Sequence, residues 1–175
     1  YVELALAAAD FSQVKALAVD ETSRARGHDY ITLAADAVER RVLFVTEGRG
    51  ADTVAAFADD LEAHNGDASR VKQVCIDMSA AFIKGVTDNL TEAEITFDKF
   101  HVVWHASFAV DKMRRIEQRS DRSLKGMRWS LLKDRSRLSP EAAADLDALI
   151  AKMTTVRTAR AWAYKEQLRE ILERK

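Results

Sequence analysis

Two aspartates each follow a short apolar run that is typical of a buried strand. Asp20 comes directly after residues 14–19 (VKALAV), and Asp77 comes directly after residues 71–76 (VKQVCI). Carboxylate oxygens are the ligands that Mg²⁺ and Mn²⁺ prefer, and paired metal ions activate the attacking oxygen and stabilise the leaving oxygen of a phosphoryl transfer. The two aspartates therefore suggest a metal site. On spacing alone a second interpretation stays open, in which each aspartate only ends a strand or caps the next helix.

The elements around these aspartates predict an α/β fold with a mixed sheet. Strand-like composition and length occur at residues 14–19, 30–38, 41–46, 71–76 and 93–97. The short links between the first three predict an antiparallel meander, and helical periodicity separates the last two strands from what precedes them. Three antiparallel strands followed by two parallel strands with helical crossovers is the order of a ribonuclease-H-like core. In that fold the first and fourth strands are neighbours, so we expect Asp20 and Asp77 at one edge of the sheet.

The rest of the chain is predicted to be helical. From residue 100 onward the apolar residues recur only at helical spacing. We expect residues 1–118 to form the N-terminal part of the core, and residues 119–175 to form an all-helical insertion or extension that is incomplete at its C-terminal end. The first residue is Tyr1 rather than Met, so we interpret the chain as a piece of a longer protein.

Composition excludes several classes of protein. Hydrophobic residues make up 47% and charged residues 31% of the chain, which is typical of a globular protein rather than a disordered one. Cys75 is the only cysteine, so an intramolecular disulfide and a cysteine-based zinc site are both excluded. No apolar run approaches the length of a membrane span. We therefore expect an intracellular protein that does not enter a membrane.

Charge is distributed unevenly along the chain. Residues 1–100 carry 10 Lys+Arg against 18 Asp+Glu, a net charge of −8, whereas residues 101–175 carry 17 against 10, a net charge of +7. Residues 112–137 alone hold ten Lys+Arg and three Asp+Glu. Such a stretch either neutralises DNA phosphates or forms an Arg-rich solvated helix. Trp129 within it either stacks on an unpaired base or packs in a small helical core, and Trp104 and Trp162 are predicted to be core residues.

Four blocks of sequence resemble the catalytic domain of DDE-type insertion-sequence transposases of the ISL family, the ISL-three group. They are residues 20–30 (DETSRARGHDY), 76–84 (IDMSAAFIK), 97–101 (FDKFH) and 128–133 (RWSLLK). The blocks extend over most of the chain in the expected order. Several ordered blocks are more specific than any single motif, so the resemblance favours the metal interpretation of the two aspartates.

The resemblance implies an enzyme that uses Mg²⁺ or Mn²⁺ to cut DNA at insertion-sequence ends and to join the freed strand to target DNA. By motif, Asp20 matches the first catalytic and metal-binding acid and Asp77 the second. The third acid, a Glu within an Asn-Gly-containing motif, has no match in this chain, so we expect it beyond Lys175 and expect the chain alone to be inactive. We interpret Glu166, the one internal alternative, as a solvated surface residue.

Further expectations follow from the same resemblance. Asp98 and His101 resemble a signature of related transposase groups and are possible accessory residues, as is Glu21. The other interpretation of Asp98 and His101 is a helix cap with a half-buried His.

Candidate DNA-binding residues are Arg24, Arg26, His28, Arg114, Arg115, Arg119, Lys125, Arg128 and Trp129. The implied partners are transposon ends and target DNA, with a homo-oligomer in the full-length protein. The implied location is the bacterial cytoplasm, with nucleoid association when the protein is bound to DNA. The alternative function is a non-catalytic nucleic-acid-binding or oligomerisation module built on residues 112–137.

Overall fold

A computed structural model describes residues 8–25, 27, 29–152 and 156–173 of the chain. The strands in this part are β1 (Ala16–Ser23), β2 (Tyr30–Asp36), β3 (Arg41–Glu47), β4 (Gln73–Ile76) and β5 (Glu94–Phe97). The α-helices are α1 (Ala51–Ala63), α2 (Ala80–Asn89), α3 (Lys99–Glu117), α4 (Arg128–Leu132), α5 (Pro140–Ile150) and α6 (Arg157–Glu173). Short 3₁₀ turns occupy Ala68–Arg70, Arg122–Leu124 and Arg135–Arg137.

The five strands form one mixed sheet in the order β3-β2-β1-β4-β5. β2 is antiparallel to both β1 and β3, whereas β4 is parallel to both β1 and β5. Each parallel connection contains a helix, as parallel pairing requires. The arrangement is that of a ribonuclease-H-like core followed by a helical C-terminal segment, and it confirms the predicted fold class.

One face of the sheet is covered by α1 and α2. Leu17 and Val19 of β1 and Val74 and Ile76 of β4 are buried on this face, in one hydrophobic cluster with the apolar sides of both helices. The two helices pack closely at Gly85, where an added Cβ would lie 2.8 Å from the Cβ of Val54. The strand residues between these buried positions point to the opposite face, because side chains alternate along a strand. Asp20 belongs to that second set.

β1 is longer than the sequence predicts. The predicted strand ended at residue 19, so that Asp20 would follow it, whereas β1 continues to Ser23. The extra residues, which are polar, pair with β2 from Asp20↔Leu33 to Ser23↔Tyr30. Pairing with β2 therefore overrides the low strand propensity of these residues. Asp20 lies inside β1, at the level where the neighbouring parallel strand β4 ends.

Contacts divide the chain into two compact units, the first ending at Asp98 and the second beginning at Lys99. The second unit has its own buried cluster, in which Val110 of α3 packs with Leu131, Leu146 and Ala159 of the later helices. The boundary near residue 118 between a catalytic core and a helical insertion is a functional division, and it stays a prediction. Among the described residues no helix combines the length and the apolar composition that crossing a membrane needs.

Candidate functional site

The register of the parallel strands aligns Asp20 with Asp77. Ala16 pairs with Gln73, Leu17 with Val74 and Ala18 with Cys75, so each residue of β1 lies beside the residue 57 positions later. Asp77 is the residue 57 positions after Asp20, and it follows directly on β4. Continued by two residues, the register places the two aspartates side by side. Residues aligned in a parallel pair point to the same face of the sheet.

The next strand brings a third acid to the same level. Residues of β4 pair with those 21 positions later in β5, up to Ile76↔Phe97. The amide of Asp98 continues this ladder, because it donates to the Ile76 carbonyl oxygen at 2.9 Å. Asp98 therefore lies one residue beyond β5, level with Asp77. His101 lies in the first turn of α3 and is half-buried.

Cys75 shows which face these acids share. Its ladder partners are Ala18 of β1 and Thr96 of β5, and side chains two residues apart along a strand point to the same face. Asp20 and Asp98 each lie two residues beyond these partners, so they share the face of Cys75, which α1 and α2 do not cover. Burial raises the pKa of Cys75, a hydrogen bond with Thr96 works against this rise, and the negative charges of Asp98 and Asp20 add to it.

Local hydrogen bonds orient the two principal carboxylates. Oδ1 of Asp77 accepts the Ser79 amide at 2.8 Å in the turn that leads into α2, and Oδ1 of Asp20 accepts the Glu21 amide at 2.8 Å. Asp20 is exposed and Asp77 is half-buried. Glu21 alternates to the other face, where its carboxylate lies 3.9 Å from the Arg49 guanidinium. Glu21 is therefore separated from the two aspartates by the sheet.

The donor chemistry at this edge fits a hard divalent cation, but only in part. Asp20 and Asp77 supply the carboxylate oxygens that Mg²⁺ and Mn²⁺ prefer. Within the described part of the chain, however, no three His, Cys, Asp or Glu side chains converge as a metal-binding group. The register aligns the backbones of three acids without bringing all three side chains together. Two carboxylates are fewer ligands than Mg²⁺ or Mn²⁺ needs, so a complete site would require further ligands.

Of the three candidate DNA-binding residues near β1, only Arg24 lies in the described part of the chain. Arg24 forms ion pairs with Asp29 at 3.0 Å and Glu47 at 2.6 Å. These interactions, chiefly the hydrogen bond to Glu47, raise the pKa of Arg24. Its guanidinium remains about half exposed. Arg26 and His28 lie outside the described residues.

Three candidate DNA-binding arginines of the second unit lie near the Asp111 carboxylate. Arg114 is buried, and its guanidinium donates to Asp111 at 2.8 Å and 2.9 Å. Arg115 lies 2.7 Å and Arg128 3.8 Å from the same carboxylate, and both are exposed. Arg114 is thus an internal ion-pair partner whose charge does not face solvent. Arg115 and Arg128 present theirs at the surface.

The remaining candidates are exposed. Arg119 follows α3, and Lys125 lines a cavity of about 380 Å³ together with Ser130 and Lys152. Trp129 is 58% exposed, and the Arg128 guanidinium lies 4.9 Å from its ring centre. Trp129 therefore does not pack in a helical core, and its stacking on an unpaired base stays a prediction.

Two sequence interpretations outside the site need correction. Trp104 was expected in the core but is 53% exposed, because the buried residues of α3, which are Val110, Asp111 and Arg114, all lie in the C-terminal half of the helix. Glu166 was expected to be solvated but is half-buried, since it pairs with Lys165 at 2.8 Å and Arg169 at 3.3 Å.

Sequence reasoning missed the residues that organise the helical unit. Asp111 is buried among arginines, and Glu117 at the end of α3 accepts the amides of Arg157 and Thr158 at the start of α6. The spacing of Asp111 three and four residues before Arg114 and Arg115 was a usable signal. For Glu117 no local signal exists, because its partners lie 40 residues away.

A ribonuclease-H-like sheet with acids at the edge of its parallel strands defines a class of enzymes and nucleic-acid-processing domains. A family model described as "Transposase", that of the ISL3 type, matches residues 17–175. The chain belongs to this ISL3 family of transposases.

Curated relatives agree with this assignment. The transposase for insertion sequence element IS1001 of Bordetella parapertussis is 35% identical over 149 residues, which cover 81% of this chain and 36% of that protein. The transposase for insertion sequence element IS1557 of Mycobacterium tuberculosis is 29% identical over 189 residues, covering 92% of this chain and 42% of that protein. The chain thus spans less than half the length of either relative.

Proposed function

We propose that the full-length protein cuts DNA at the ends of an insertion sequence and joins the freed 3′ hydroxyl to target DNA, with Asp20 and Asp77 as metal ligands. The observation that carries this proposal is the 57-residue register between β1 and β4. A domain that only binds DNA has no need for two carboxylates at matched positions of adjacent strands. Membership of a transposase family supports the same reaction.

The two aspartates hold their oxygens at one edge of the sheet before any ligand arrives. Asp77 is oriented by the Ser79 amide and Asp20 by the Glu21 amide, so little side-chain freedom is lost when they bind. A divalent cation bound there supplies positive charge to activate the attacking oxygen and to stabilise the leaving oxygen of the phosphodiester. In strand transfer the 3′ hydroxyl forms a bond to the target phosphorus as the target's own 3′ oxygen leaves.

The other ligands of this site belong to the proposal too. We expect the third acid beyond Lys175, and that stays a prediction. Asp98 is placed by register beside Asp77, which favours an accessory role at the same edge. His101 and Glu21 have no comparable support, and Glu21 lies on the other face of the sheet.

For DNA we propose the exposed basic residues of the helical unit as the contact surface. Arg115, Arg119, Lys125 and Arg128 present cations to solvent, and Trp129 presents a ring beside Arg128. Phosphate neutralisation by such cations gives affinity without sequence preference. Homo-oligomerisation and binding to nucleoid DNA in a bacterial cytoplasm are parts of the same proposal.

A second candidate is a non-catalytic DNA-binding or oligomerisation module. It is favoured by the absence, in the described residues, of three metal-ligating side chains that converge. It leaves the alignment of Asp20 with Asp77 unexplained.

The test uses the full-length protein with its own element ends. Asp20→Asn and Asp77→Asn each replace a negatively charged carboxylate with a neutral amide of nearly the same shape. We expect strand cleavage to fall by more than about 100-fold, since even the outer partners of metal ligands cost 10–100-fold when changed, with binding of end DNA retained. Asp59→Asn, an exposed site on α1, is the matched control. Normal cleavage by either of the first two variants would exclude the proposed site.

A further inference from the structure

One helix of the second unit exposes a row of aromatic side chains. Phe100, Trp104 and Phe108 of α3 are 69%, 53% and 58% exposed. Their spacing of four residues places them on one side of the helix. We call these three residues the aromatic ridge. Exposed apolar groups that lie together in this way mark a surface where something binds.

The rings of the ridge are ordered among themselves. Trp104 and Phe108 are stacked, with ring centres 5.9 Å apart and planes within 18°. His105 meets Trp104 edge-on at 5.0 Å between ring centres. These contacts hold the rings of Trp104 and Phe108 in place, and both rings remain more than half exposed. The ridge therefore offers a flat aromatic surface. Because its side chains are already partly ordered, less conformational entropy is lost when a ligand binds.

The same side of α3 continues into positive charge. Lys112 follows Phe108 by four residues and is exposed, and Arg115 is 63% exposed beside Asp111. Residues 99–175 carry 18 Lys+Arg against 10 Asp+Glu, a net charge of +8. Aromatic rings for bases and cations for phosphates are the two elements of single-stranded nucleic-acid binding.

Charge also argues against a second copy of this chain as the occupant. Lys112 and Arg115 are exposed at the C-terminal end of the ridge side of α3. Two copies paired in parallel would place these like charges together. A polyanion meets both cations favourably.

We propose that the aromatic ridge binds unpaired bases of a DNA strand, whose phosphates lie along Lys112 and Arg115. This inference rests on the proposed function, because it takes DNA as the ligand. It adds a surface for unpaired bases to the basic contacts that either strand of a duplex can make, and Arg115 belongs to both. Such a surface suits an enzyme whose reaction frees a strand end from its duplex.

The experiment compares one oligonucleotide in two forms. Fluorescence anisotropy of a labelled 20-nucleotide mixed-sequence DNA, single-stranded or as a duplex, is measured with the 175-residue chain at fixed salt. We expect Trp104→Ala with Phe108→Ala to weaken single-strand binding by about tenfold or more, the loss of one or two stacked bases, and duplex binding by less than about twofold. Trp104→Tyr, which keeps a ring, retains most of the affinity.

Tyr164→Ala is the matched control, since Tyr164 is 68% exposed on α6 and lies outside the ridge. Circular dichroism checks that all variants keep the helical content of the parent. Single-strand binding that survives the double substitution would overturn the inference, and so would an equal loss for single strand and duplex. Sedimentation tests the other occupant: a dimer that becomes a monomer on substitution, with unchanged single-strand binding, makes the ridge an interface between copies.

The inference and the proposed function fail in different ways. If the parent chain binds duplex DNA but not the single strand, the ridge proposal is wrong and the proposed function stands. If the parent chain binds neither form, the DNA contacts of the proposed function fail together with the ridge.

Discussion

Asp20 and Asp111 show how surroundings give one residue type two roles. Asp20 lies on the face of the sheet opposite α1 and α2, where it is exposed and its carboxylate accepts the Glu21 amide. Asp111 is 6% exposed and accepts hydrogen bonds from Arg114 and Arg115. Burial by itself would raise the pKa of Asp111, but these two guanidinium groups outweigh it and lower the pKa. The exposed carboxylate of Asp20 suits its proposed role as a metal ligand, whereas Asp111 stabilises the helical unit.

Substitution of Asp111 is expected to destabilise the helical unit. Asp111→Asn removes the charge that Arg114 faces, and a buried arginine without its partner is costly. We expect a loss of about 3 kcal/mol in the free energy of unfolding, measured by urea denaturation followed by circular dichroism. The matched control is Asp145→Asn on the exposed side of α5, for which we expect little change. Equal stability of the two variants would show that the Asp111 cluster contributes nothing.

At the scale of elements, Glu117 joins the end of α3 to the beginning of α6. Its carboxylate accepts the Arg157 amide at 2.8 Å, and the Thr158 amide and hydroxyl at 2.7 Å each. It thus caps a helix from another part of the chain, where the amides at a helix start lack partners. Burial works to raise the pKa of Glu117, but the hydrogen bonds from Thr158 and Arg157 prevail and lower it.

This cap predicts a pH dependence of stability. Because the pKa of Glu117 in the folded state lies below the reference value of 4.5, its stabilisation is complete above that pH and is lost as the pH falls through the folded-state value. We expect Glu117→Gln to cost about 1–2 kcal/mol at pH 7 and to differ less from the parent near pH 3. Urea denaturation at a series of pH values measures both effects. Glu170→Gln, an exposed site on α6, should match the parent throughout, and a constant deficit of Glu117→Gln down to pH 3 would contradict the cap.

Much of the element order could be predicted from the sequence, and its failures have physical causes. The meander and the crossovers followed from composition and short links, because local propensity and burial agree there. The extension of β1 through Ser23 was missed, since pairing with β2 and not the residues themselves makes it a strand. Periodicity placed apolar residues together on α3 but did not show that burial is confined to the C-terminal half of the helix, so Trp104 was assigned to the core.

The candidate site was predictable to a similar extent. Two aspartates after apolar runs could be recognised as a pair, and the fold predicted that their strands are neighbours. Their alignment depends on register, which sequence specifies only through long-range packing. Asp98 also follows a predicted strand, and its alignment with Asp77 likewise depends on register.

At the scale of the whole molecule, charge and chemistry are divided between the two units. The sheet unit holds the aligned acids within an acidic half of the chain, and the helical unit holds a net charge of +8 over residues 99–175. The acids proposed to bind cations and the surface proposed to bind polyanions thus lie on separate parts of the sequence. A transposase needs both, because its DNA must be held while its phosphodiester is attacked.

The most direct test of this account is whether Asp20 and Asp77 share a divalent cation. Mn²⁺ is titrated into the ¹⁵N-labelled 175-residue chain, and paramagnetic broadening of amide signals reports which residues lie near the ion. We expect weak binding with broadening centred on Asp20 and Asp77, competed by Mg²⁺, reduced in Asp20→Asn and Asp77→Asn, and unchanged in Asp59→Asn. Broadening that is scattered over the acidic surface, or that persists unchanged in both aspartate variants, would contradict the shared site.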